Sequence, residues 1–247
     1  MDKIEKEIMN WWNYAADYYQ EEISKYKMDD VYYGPFGSNE SKLNLLGSVK
    51  NKRILEIGCG GGQVSIALSK MGAECTAIDI SEKEIKYARK NAAKEGVNVK
   101  FEIVPFSMIY KLPKNGFDIA ISVMSLQYSK DLKKLFMDVN KLLKKRGIFV
   151  FSIEHPLFLL INPKNMRITD SYISEGIRKD KERRKNLYYV YFHRKISTII
   201  NFLIESKFSI EKVVEPMEED KIWGLGYRKA IVNKIGPTII FKAVKGG

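Results

Sequence analysis

The sequence predicts an α/β fold built on a doubly wound parallel sheet, and two observations support this prediction. Short apolar strands alternate with amphipathic helices from residue 54 to residue 153, which is the pattern of consecutive βαβ units. A glycine-rich turn, Gly58-Cys59-Gly60-Gly61-Gly62, follows the first strand and precedes a helix. Open parallel sheets bind ligands at the carboxyl ends of their strands, so the turn marks the expected binding edge.

The elements follow in order along the chain. Apolar residues at three- and four-residue spacing predict an amphipathic helix over residues 3–26, and Ser38 or Asn39 is suited to cap a short second helix. Ser81, with Glu84 three residues later, predicts a capping box at a later helix. The alternation predicts strands at 53–57, 74–79, 99–104, 117–123 and 147–153, and helices at 63–71, 82–93 and 132–143.

The pattern changes after the fifth strand. Residues 156–195 are polar and include the basic run 178–185, which predicts an insertion over the sheet edge. A helix at 196–206 and strands at 208–215 and 238–244 complete the chain. The sequence thus predicts one domain with four parts: an N-terminal helical lid (1–47), a core (48–155), the insertion (156–195) and a C-terminal helix with strands (196–247).

Composition narrows the class of protein. A chain of 247 residues with 45% hydrophobic residues is long enough for a full core. It lacks the roughly 18 uninterrupted apolar residues of a membrane span and an apolar leader segment, so a cytoplasmic location is expected. Cys59 and Cys75 are predicted to be buried free thiols, and the two histidines have no metal-ligand spacing, so no metal is expected.

The net charge of +12 admits nucleic acid, an anionic lipid surface or a phosphorylated metabolite as partners. Charge alone does not choose among them, and a lysine-rich composition is also typical of a thermophilic host. The sequence shows no RNA-binding motif. A nucleic-acid partner is therefore admitted but not favoured.

Asp79 ends the second predicted strand, where a carboxylate is suited to accept the hydroxyl hydrogens of a ribose. A dinucleotide-binding turn that starts at Gly58 would need glycine or alanine at position 63, which is Gln63. The turn and the acid therefore favour a nucleoside ligand other than a dinucleotide.

The pattern Glu56-x-Gly58-x-Gly60-x-Gly62 with Asp79 resembles the S-adenosylmethionine (SAM) motif of class I methyltransferases. Residues 117–122 and 142–149 resemble the fourth- and fifth-strand segments of that family, and the chain is similar to its small-molecule branch related to quinone-biosynthesis C-methyltransferases. The resemblance implies SAM as methyl donor, S-adenosylhomocysteine as product and a seven-strand sheet whose last strand is antiparallel.

The resemblance also implies a set of cofactor-binding residues. Where the family usually carries an acid after the third strand, this chain has Pro105-Phe106-Ser107, so Phe106 or Ser107 is expected to contact adenine. The aromatic helix is expected to cover the cofactor with Trp11, Trp12, Tyr18 or Tyr19, and plain packing on the sheet is the alternative. The expected set is Glu56, Gly58, Cys59, Gly60, Gly62, Asp79, Ile80, Phe106, Ser107, Ser122, Tyr19 and Trp12.

Catalysis of methyl transfer consists mainly of positioning the acceptor and removing its proton. His155, just after the fifth strand, is the predicted base, and its alternative role is a hydrogen bond to a backbone carbonyl. Glu154 ranks below it, because neighbours in a strand point to opposite faces.

The acceptor site is predicted from two groups of residues. Gln127 and Tyr128 follow the fourth strand, where the family contacts its acceptors. Arg178, His193 and Arg194 are suited to clamp an anionic acceptor, and a solvated salt-bridge face is the alternative. The predicted function is methyl transfer to a small molecule, and a clamp of this kind predicts that the molecule is anionic. RNA or tRNA methylation and SAM binding without catalysis are the alternatives.

Overall fold

The computed structural model describes residues 1–25, 27–162, 165–182, 185–217 and 234–246. Its main sheet contains seven strands, β1 Arg53–Ile57, β2 Glu74–Asp79, β3 Lys100–Ile103, β4 Phe117–Val123, β5 Leu143–Glu154, β8 Phe208–Val214 and β9 Thr238–Lys245. They lie in the order β3-β2-β1-β4-β5-β9-β8. The pairs among β1 to β5 are parallel, whereas β9 runs antiparallel to both its neighbours. The predicted fold class is confirmed.

Helices cover both faces of this sheet. The α-helices are α1 Lys3–Ile23, α2 Glu40–Leu43, α3 Gln63–Lys70, α4 Glu82–Glu95, α5 Leu132–Leu142 and α6 Ile196–Glu205. On one face a cluster of buried rings from α5, β5 and β9 includes Phe136, Phe149, Phe151 and Phe241. Close packing of such rings gives the sheet a fixed geometry, and that geometry positions the loops after β4 and β5.

The cap of α4 forms only half of the predicted capping box. Ser81 Oγ accepts a hydrogen bond from the Glu84 N–H at 3.1 Å. The Ser81 N–H donates instead to Asp79 Oδ1 at 2.8 Å, and the Glu84 carboxylate accepts from Gln20 Nε2 of α1 at 2.6 Å. Glu84 therefore joins α4 to α1.

The insertion contains a hairpin that the sequence analysis missed. Strands β6 Gly176–Lys181 and β7 Tyr188–His193 pair antiparallel and form a separate two-stranded sheet. The hairpin packs on α1, with the Tyr189 and Trp11 rings 5.5 Å apart and an ion pair between Lys179 and Glu7. It holds α1 over the carboxyl ends of the sheet. Arg183 and Arg184 of the basic run lie outside the described residues.

Two further predictions concern cysteines and membrane spans. Cys59 and Cys75 are buried and free, as the sequence predicts. In the described part of the chain, no helix has the length and apolar character needed to cross a membrane.

Candidate active site beneath the N-terminal helix

A cavity of about 470 Å³ lies at the carboxyl ends of β1, β2 and β4, the edge that the glycine-rich turn predicts. We call it the main cavity. Gly58, Cys59 and Gly60 line one side, and Trp12 and Tyr19 line it from α1. Its volume lies within the roughly 300–1,000 Å³ of typical small-molecule sites.

The turn after β1 requires glycine for two physical reasons. Gly58 has φ +73°, a left-handed conformation that favours glycine. A Cβ atom at Gly58 would lie 2.3 Å from Ser125 Oγ. The Gly58 and Cys59 N–H groups both donate to the carbonyl oxygen of Ile78, at 2.8 and 2.9 Å, so the turn is tied to the end of β2.

Asp79 lines the main cavity at the end of β2. Its Oδ2 accepts the Gly60 N–H at 2.9 Å, and its Oδ1 accepts the Ser81 N–H at 2.8 Å. A carboxylate has about four lone-pair sites; the N–H groups of Gly60, Ser81 and Ile80 use some of them, and the remainder accept from a ligand. Burial raises the pKa of Asp79.

Two more buried carboxyl groups line the main cavity, those of Glu56 and Glu84. Burial raises the pKa of each to about 8, and for Glu84 the nearby Asp79 adds to the increase. Among the described residues Glu84 Oε1 has no hydrogen-bond partner although it is buried. Such a set of carboxyl groups fits a ligand that carries positive charge and hydrogen-bond donors, as SAM does.

Phe106, Ser107 and Ile80 line the cavity beyond Asp79. The Ser107 N–H and hydroxyl both donate to the Glu5 carboxylate, at 3.1 and 2.9 Å. Glu5 belongs to α1 and also lines the cavity. A carboxylate therefore lies beside Ser107, although the residues after β3 contain none.

The aromatic residues of α1 divide between two environments. The Trp12 ring lies 5.4 Å from both the Tyr19 ring and the Tyr128 ring, and all three line the main cavity. Trp11 packs against Tyr189, and the exposed Tyr18 hydroxyl donates to Glu22 at 2.8 Å. Trp12 and Tyr19, not Trp11 and Tyr18, are placed to cover a ligand.

Gly62 and Ser122 lie behind the cavity wall instead of on it. Gly62, with φ +80°, caps α3. The Ser122 hydroxyl donates to the Ile57 carbonyl at 2.8 Å. Both residues fix the backbone that forms the wall, and their contact with the cofactor stays a prediction.

The structure places His155 away from the residues that line the main cavity, and its role as base stays a prediction. Its imidazole is buried, with Nε2 2.8 Å from Glu215 Oε1 and Nδ1 3.2 Å from the Leu157 N–H, and it is not among the residues that line the main cavity. Its N–H donates to the Pro237 carbonyl at 2.8 Å, which extends the pairing of β5 with β9. Glu154, the residue before it, lines the small cavity next to the loop after β4, and neither residue is part of the main cavity lining.

The two residues after β4 have different surroundings. Tyr128 lines the main cavity. Gln127 turns away, donates from Nε2 to the Met124 carbonyl at 2.8 Å and lines a separate small cavity of about 20 Å³. Of the two, only Tyr128 lies where it can contact an acceptor in the main cavity.

The predicted anion clamp is not assembled. Arg178 lies on the hairpin and is paired with Asp170. His193 Nε2 lies 3.0 Å from a backbone carbonyl oxygen, and Arg194 donates to two backbone carbonyls at 2.6 and 3.0 Å. None of the three lines the main cavity. Arg194 holds the end of the hairpin to the loop after β4, whereas Arg178 and His193 hold the hairpin to Asp170 and Tyr172 within the insertion.

Comparison with known proteins identifies relatives and solved structures that are similar to this chain. The chain is 28% identical over 223 residues to an uncharacterised protein of Haemophilus influenzae, covering 84% of this chain and 87% of that one. It is 33% identical over 108 residues to a ubiquinone biosynthesis O-methyltransferase of Bordetella avium, a match that spans 44% of this chain and 45% of the relative. The solved structure of a SAM-dependent methyltransferase of Mesorhizobium loti is 30% identical, with a TM-score of 0.69 over 82% of this chain and 94% of that one.

The fold, the glycine-rich turn and these likenesses define a class I SAM-dependent methyltransferase whose cofactor is SAM. The chain matches the family model described as methyltransferase domain over residues 48–195 and belongs to that family. In the described residues, no group of three or more His, Cys, Asp or Glu side chains is arranged to hold a metal ion.

The raised pKa of Glu84 leads to a prediction about the pH dependence of SAM binding. With a pKa of about 8, this carboxyl is mostly protonated at neutral pH. A cationic ligand favours the ionised form, so binding releases a proton and SAM affinity rises with pH from 6 towards 8, by at most about ten-fold per pH unit for one carboxyl. Calorimetry in buffers of different ionisation enthalpy measures the released proton.

Glu84→Gln is expected to reduce both the proton release and the pH dependence. S-adenosylhomocysteine lacks the sulfonium charge, so its binding affinity is expected to depend less on pH than that of SAM. If SAM affinity changed with pH equally steeply in wild type and in Glu84→Gln, the assignment of this titration to Glu84 would be contradicted. Glu95→Gln, which removes an exposed carboxylate paired with Lys70 on the outer end of α4, is the matched control.

Proposed function

We propose that the protein transfers the methyl group of SAM to a small, uncharged aromatic acceptor that binds in the main cavity beside the cofactor. The observation that carries this proposal is the lining of the cavity beyond the glycine-rich turn. There Trp12, Tyr19, Tyr32 and Tyr128 line it, and α1 covers it. Aromatic walls favour a flat apolar ligand, and the cover limits its size.

The charge of the lining favours an acceptor without negative charge. Of the three lysines that line the cavity, Lys130 is paired with Asp2. The acidic side chains outnumber them and are Asp2, Glu5, Asp30, Glu56, Asp79, Glu84 and Asp131. Even with Glu56 and Glu84 protonated, which their raised pKa values of about 8 favour at neutral pH, five carboxylates face three lysines in the lining. This excess of negative charge disfavours the anionic acceptor that the sequence suggested.

The name of one relative supports an oxygen atom as the methyl acceptor. The Bordetella avium protein is an O-methyltransferase of ubiquinone biosynthesis. Carried to this chain as a proposal, that activity indicates an aromatic hydroxyl as the methylated group.

The first experiment is a calorimetric titration of the purified protein with SAM, S-adenosylhomocysteine and, as the control, NAD. Binding of the first two ligands alone is expected. The SAM-loaded protein is then offered separate pools of small phenols and of RNA, with SAM tritiated in its methyl group. Label transferred to RNA alone would overturn the small-molecule proposal.

RNA is the alternative acceptor because of the net charge of +12. In the basic run, however, Arg178 and Lys179 are already paired with Asp170 and Glu7. Paired side chains release fewer counterions from a nucleic acid. A steep loss of RNA affinity with rising salt would favour this alternative.

A prediction at the other end of the cavity concerns Glu5. Its carboxylate lies beside Phe106 and Ser107, where the resemblance expects the adenine ring, and we propose that it accepts the adenine amino group. Glu5→Ala removes this acceptor and also releases α1 from Ser107. SAM affinity is expected to fall about ten-fold, because a hydrogen bond to a charged group contributes about 1.5–3 kcal/mol.

S-inosylhomocysteine, whose base carries an oxygen in place of the amino group, tests the assigned contact. Wild type is expected to prefer S-adenosylhomocysteine, and Glu5→Ala is expected to lose that preference. An unchanged preference would show that Glu5 acts only through the position of α1. Glu21→Ala, which alters an exposed residue on the same helix, is the control.

A further inference from the structure

A chain of three polar side chains runs from the main cavity to a carboxyl group at the end of β5. Tyr128 lines the cavity, and its hydroxyl lies 3.0 Å from the Tyr189 hydroxyl. The Tyr189 hydroxyl in turn lies 3.4 Å from Glu154 Oε2. This last contact is long for a hydrogen bond, and contacts of this kind commonly shorten when a substrate binds.

Three separate parts of the fold bring these groups together. Tyr128 follows β4, Glu154 ends β5, and Tyr189 belongs to the hairpin of the insertion. The rings of Tyr128 and Tyr189 pack edge to face with their centroids 5.8 Å apart. Trp11 and Trp12 of α1 pack against the same two rings, so the chain is held in place by α1 as well.

The hydrogen bonds have one direction that uses every proton. An ionised Glu154 carboxylate can only accept, so the single hydroxyl hydrogen of Tyr189 is donated to it in this state. Tyr128 must then donate to the Tyr189 oxygen, since each phenol has one hydrogen to give. In the proposed complex the Tyr128 oxygen, which also interacts with the Gln127 side chain, keeps a lone pair to accept a hydrogen bond from the bound acceptor.

The surroundings of Glu154 suit a proton acceptor. The phenols of Tyr19, Tyr128, Tyr189 and Tyr191 lie within its electrostatic reach, and in the described residues no ion pair involves it. Burial raises the pKa of Glu154 to about 7, which suits exchange of a proton near neutrality. Burial also raises the pKa of Tyr128 and of Tyr189, so the phenols stay neutral.

Two basic residues beside Glu154 have other hydrogen-bond partners. His193 and Arg194 line the same small cavity as Glu154. Both side chains are bonded to backbone carbonyl oxygens.

We propose that Tyr128, Tyr189 and Glu154 form a proton relay, with Tyr128 in contact with the acceptor and Glu154 as the final proton acceptor. The relay defines the substrate class: the methylated atom carries a proton in the bound acceptor, as in a phenolic hydroxyl. This inference rests on the proposed function, because the acceptor must bind in the main cavity.

The step balances in atoms and charge. A bond forms between the acceptor oxygen and the methyl carbon, while the carbon–sulfur bond breaks and its electron pair stays on sulfur. The acceptor proton moves to Tyr128, the Tyr128 proton moves to Tyr189, and the Tyr189 proton moves to Glu154. The products are a methyl ether, a neutral thioether and a protonated carboxyl.

The test compares two acceptor probes, catechol and 4-nitrocatechol, with wild type, Glu154→Gln and Tyr189→Phe. The nitro group makes its hydroxyl more acidic, so this probe needs less help to lose its proton. For catechol, kcat/KM is expected to fall at least about ten-fold in both variants, within the usual contribution of proton transfer. For 4-nitrocatechol the loss is expected to be clearly smaller.

The pH profile separates proton transfer from a structural role. With catechol, wild-type kcat/KM is expected to rise with pH through about 7, the pKa to which burial raises Glu154, and Glu154→Gln is expected to lose this rise. Glu205→Gln removes an exposed carboxylate on α6 that pairs with Lys133 and is the matched control. SAM affinity, measured by calorimetry, is expected to stay within about two-fold of wild type in both relay variants, because SAM binding does not use this proton path.

Three outcomes would overturn the relay: equal losses on both probes, an unchanged pH profile in Glu154→Gln, or no methyl transfer to either probe by protein that binds SAM. In each of these cases SAM-dependent methyl transfer itself still stands. A protein that binds no SAM would instead overturn the proposed function.

Discussion

Replacing Asp79 with alanine is expected to lower the affinity for SAM by at least about a hundred-fold. The carboxylate ends β2 and lines the main cavity, where two ribose hydroxyls are proposed to donate to it. Each hydrogen bond to a charged group contributes about 1.5–3 kcal/mol, and each 1.4 kcal/mol is a ten-fold change in affinity. Titration calorimetry with SAM measures the loss.

Part of this loss comes from the turn, because Asp79 also accepts the N–H groups of Gly60 and Ser81. Asp79→Asn keeps the shape and one acceptor oxygen, so it is expected to bind SAM with an affinity between wild type and Asp79→Ala. Glu74→Ala, at the exposed start of the same strand, controls for general effects on β2. Unchanged SAM affinity in Asp79→Ala would remove the ribose assignment.

The central sheet was predictable because its information is local. The bounds of β1 and β2 agree with the prediction to the residue, since both strands are short apolar segments bounded by turn residues. The start of β5 was predicted too late, at residue 147 instead of Leu143. The first residue of β5 is separated from the apolar part of the strand by three charged residues, Lys144, Lys145 and Arg146. The apolar pattern therefore begins only after them.

The hairpin of the insertion was not predictable in the same way. Strand β6 is largely charged and mostly exposed, so it lacks the alternation that marks a strand. It pairs with the aromatic strand β7, and β7 is stabilised by packing on α1, which lies far away in the sequence. Burial of this kind depends on tertiary contacts and leaves little local pattern.

The candidate site shows the same division. The turn at Gly58 is encoded in adjacent glycines, whereas the contact between Glu5 and Ser107 joins residues 102 positions apart. At the end of β5, neighbouring residues point to opposite faces, but the sequence does not say what each face meets. The partners differ in the structure: His155 contacts Glu215, which follows β8, whereas Glu154 contacts Tyr189 of the hairpin.

Replacing Gly58 with alanine is expected to have the second large effect, on stability and on SAM binding together. The residue has φ +73°, and a Cβ atom would lie 2.3 Å from Ser125 Oγ and 2.4 Å from its Cβ. The backbone conformation alone costs an alanine about 1–2 kcal/mol, and the overlap forces the β1 turn away from the loop after β4, which adds about 1–3 kcal/mol.

Gly96→Ala separates these two costs. Gly96 has φ +67°, nearly that of Gly58, and no atom within 4 Å of its Cβ position. It caps α4 at the end remote from the turn, so this variant measures the cost of the conformation without the overlap. Gly58→Ala is expected to lower the free energy of unfolding more than Gly96→Ala does. It is also expected to weaken SAM binding at least about ten-fold, whereas Gly96→Ala is expected to leave SAM binding unchanged. The contrary result is an equal loss of stability and normal SAM binding in both variants. It would show that the loop after β4 moves to accommodate the added methyl group. Contact between this loop and the turn after β1 would then not determine the shape of the cofactor site.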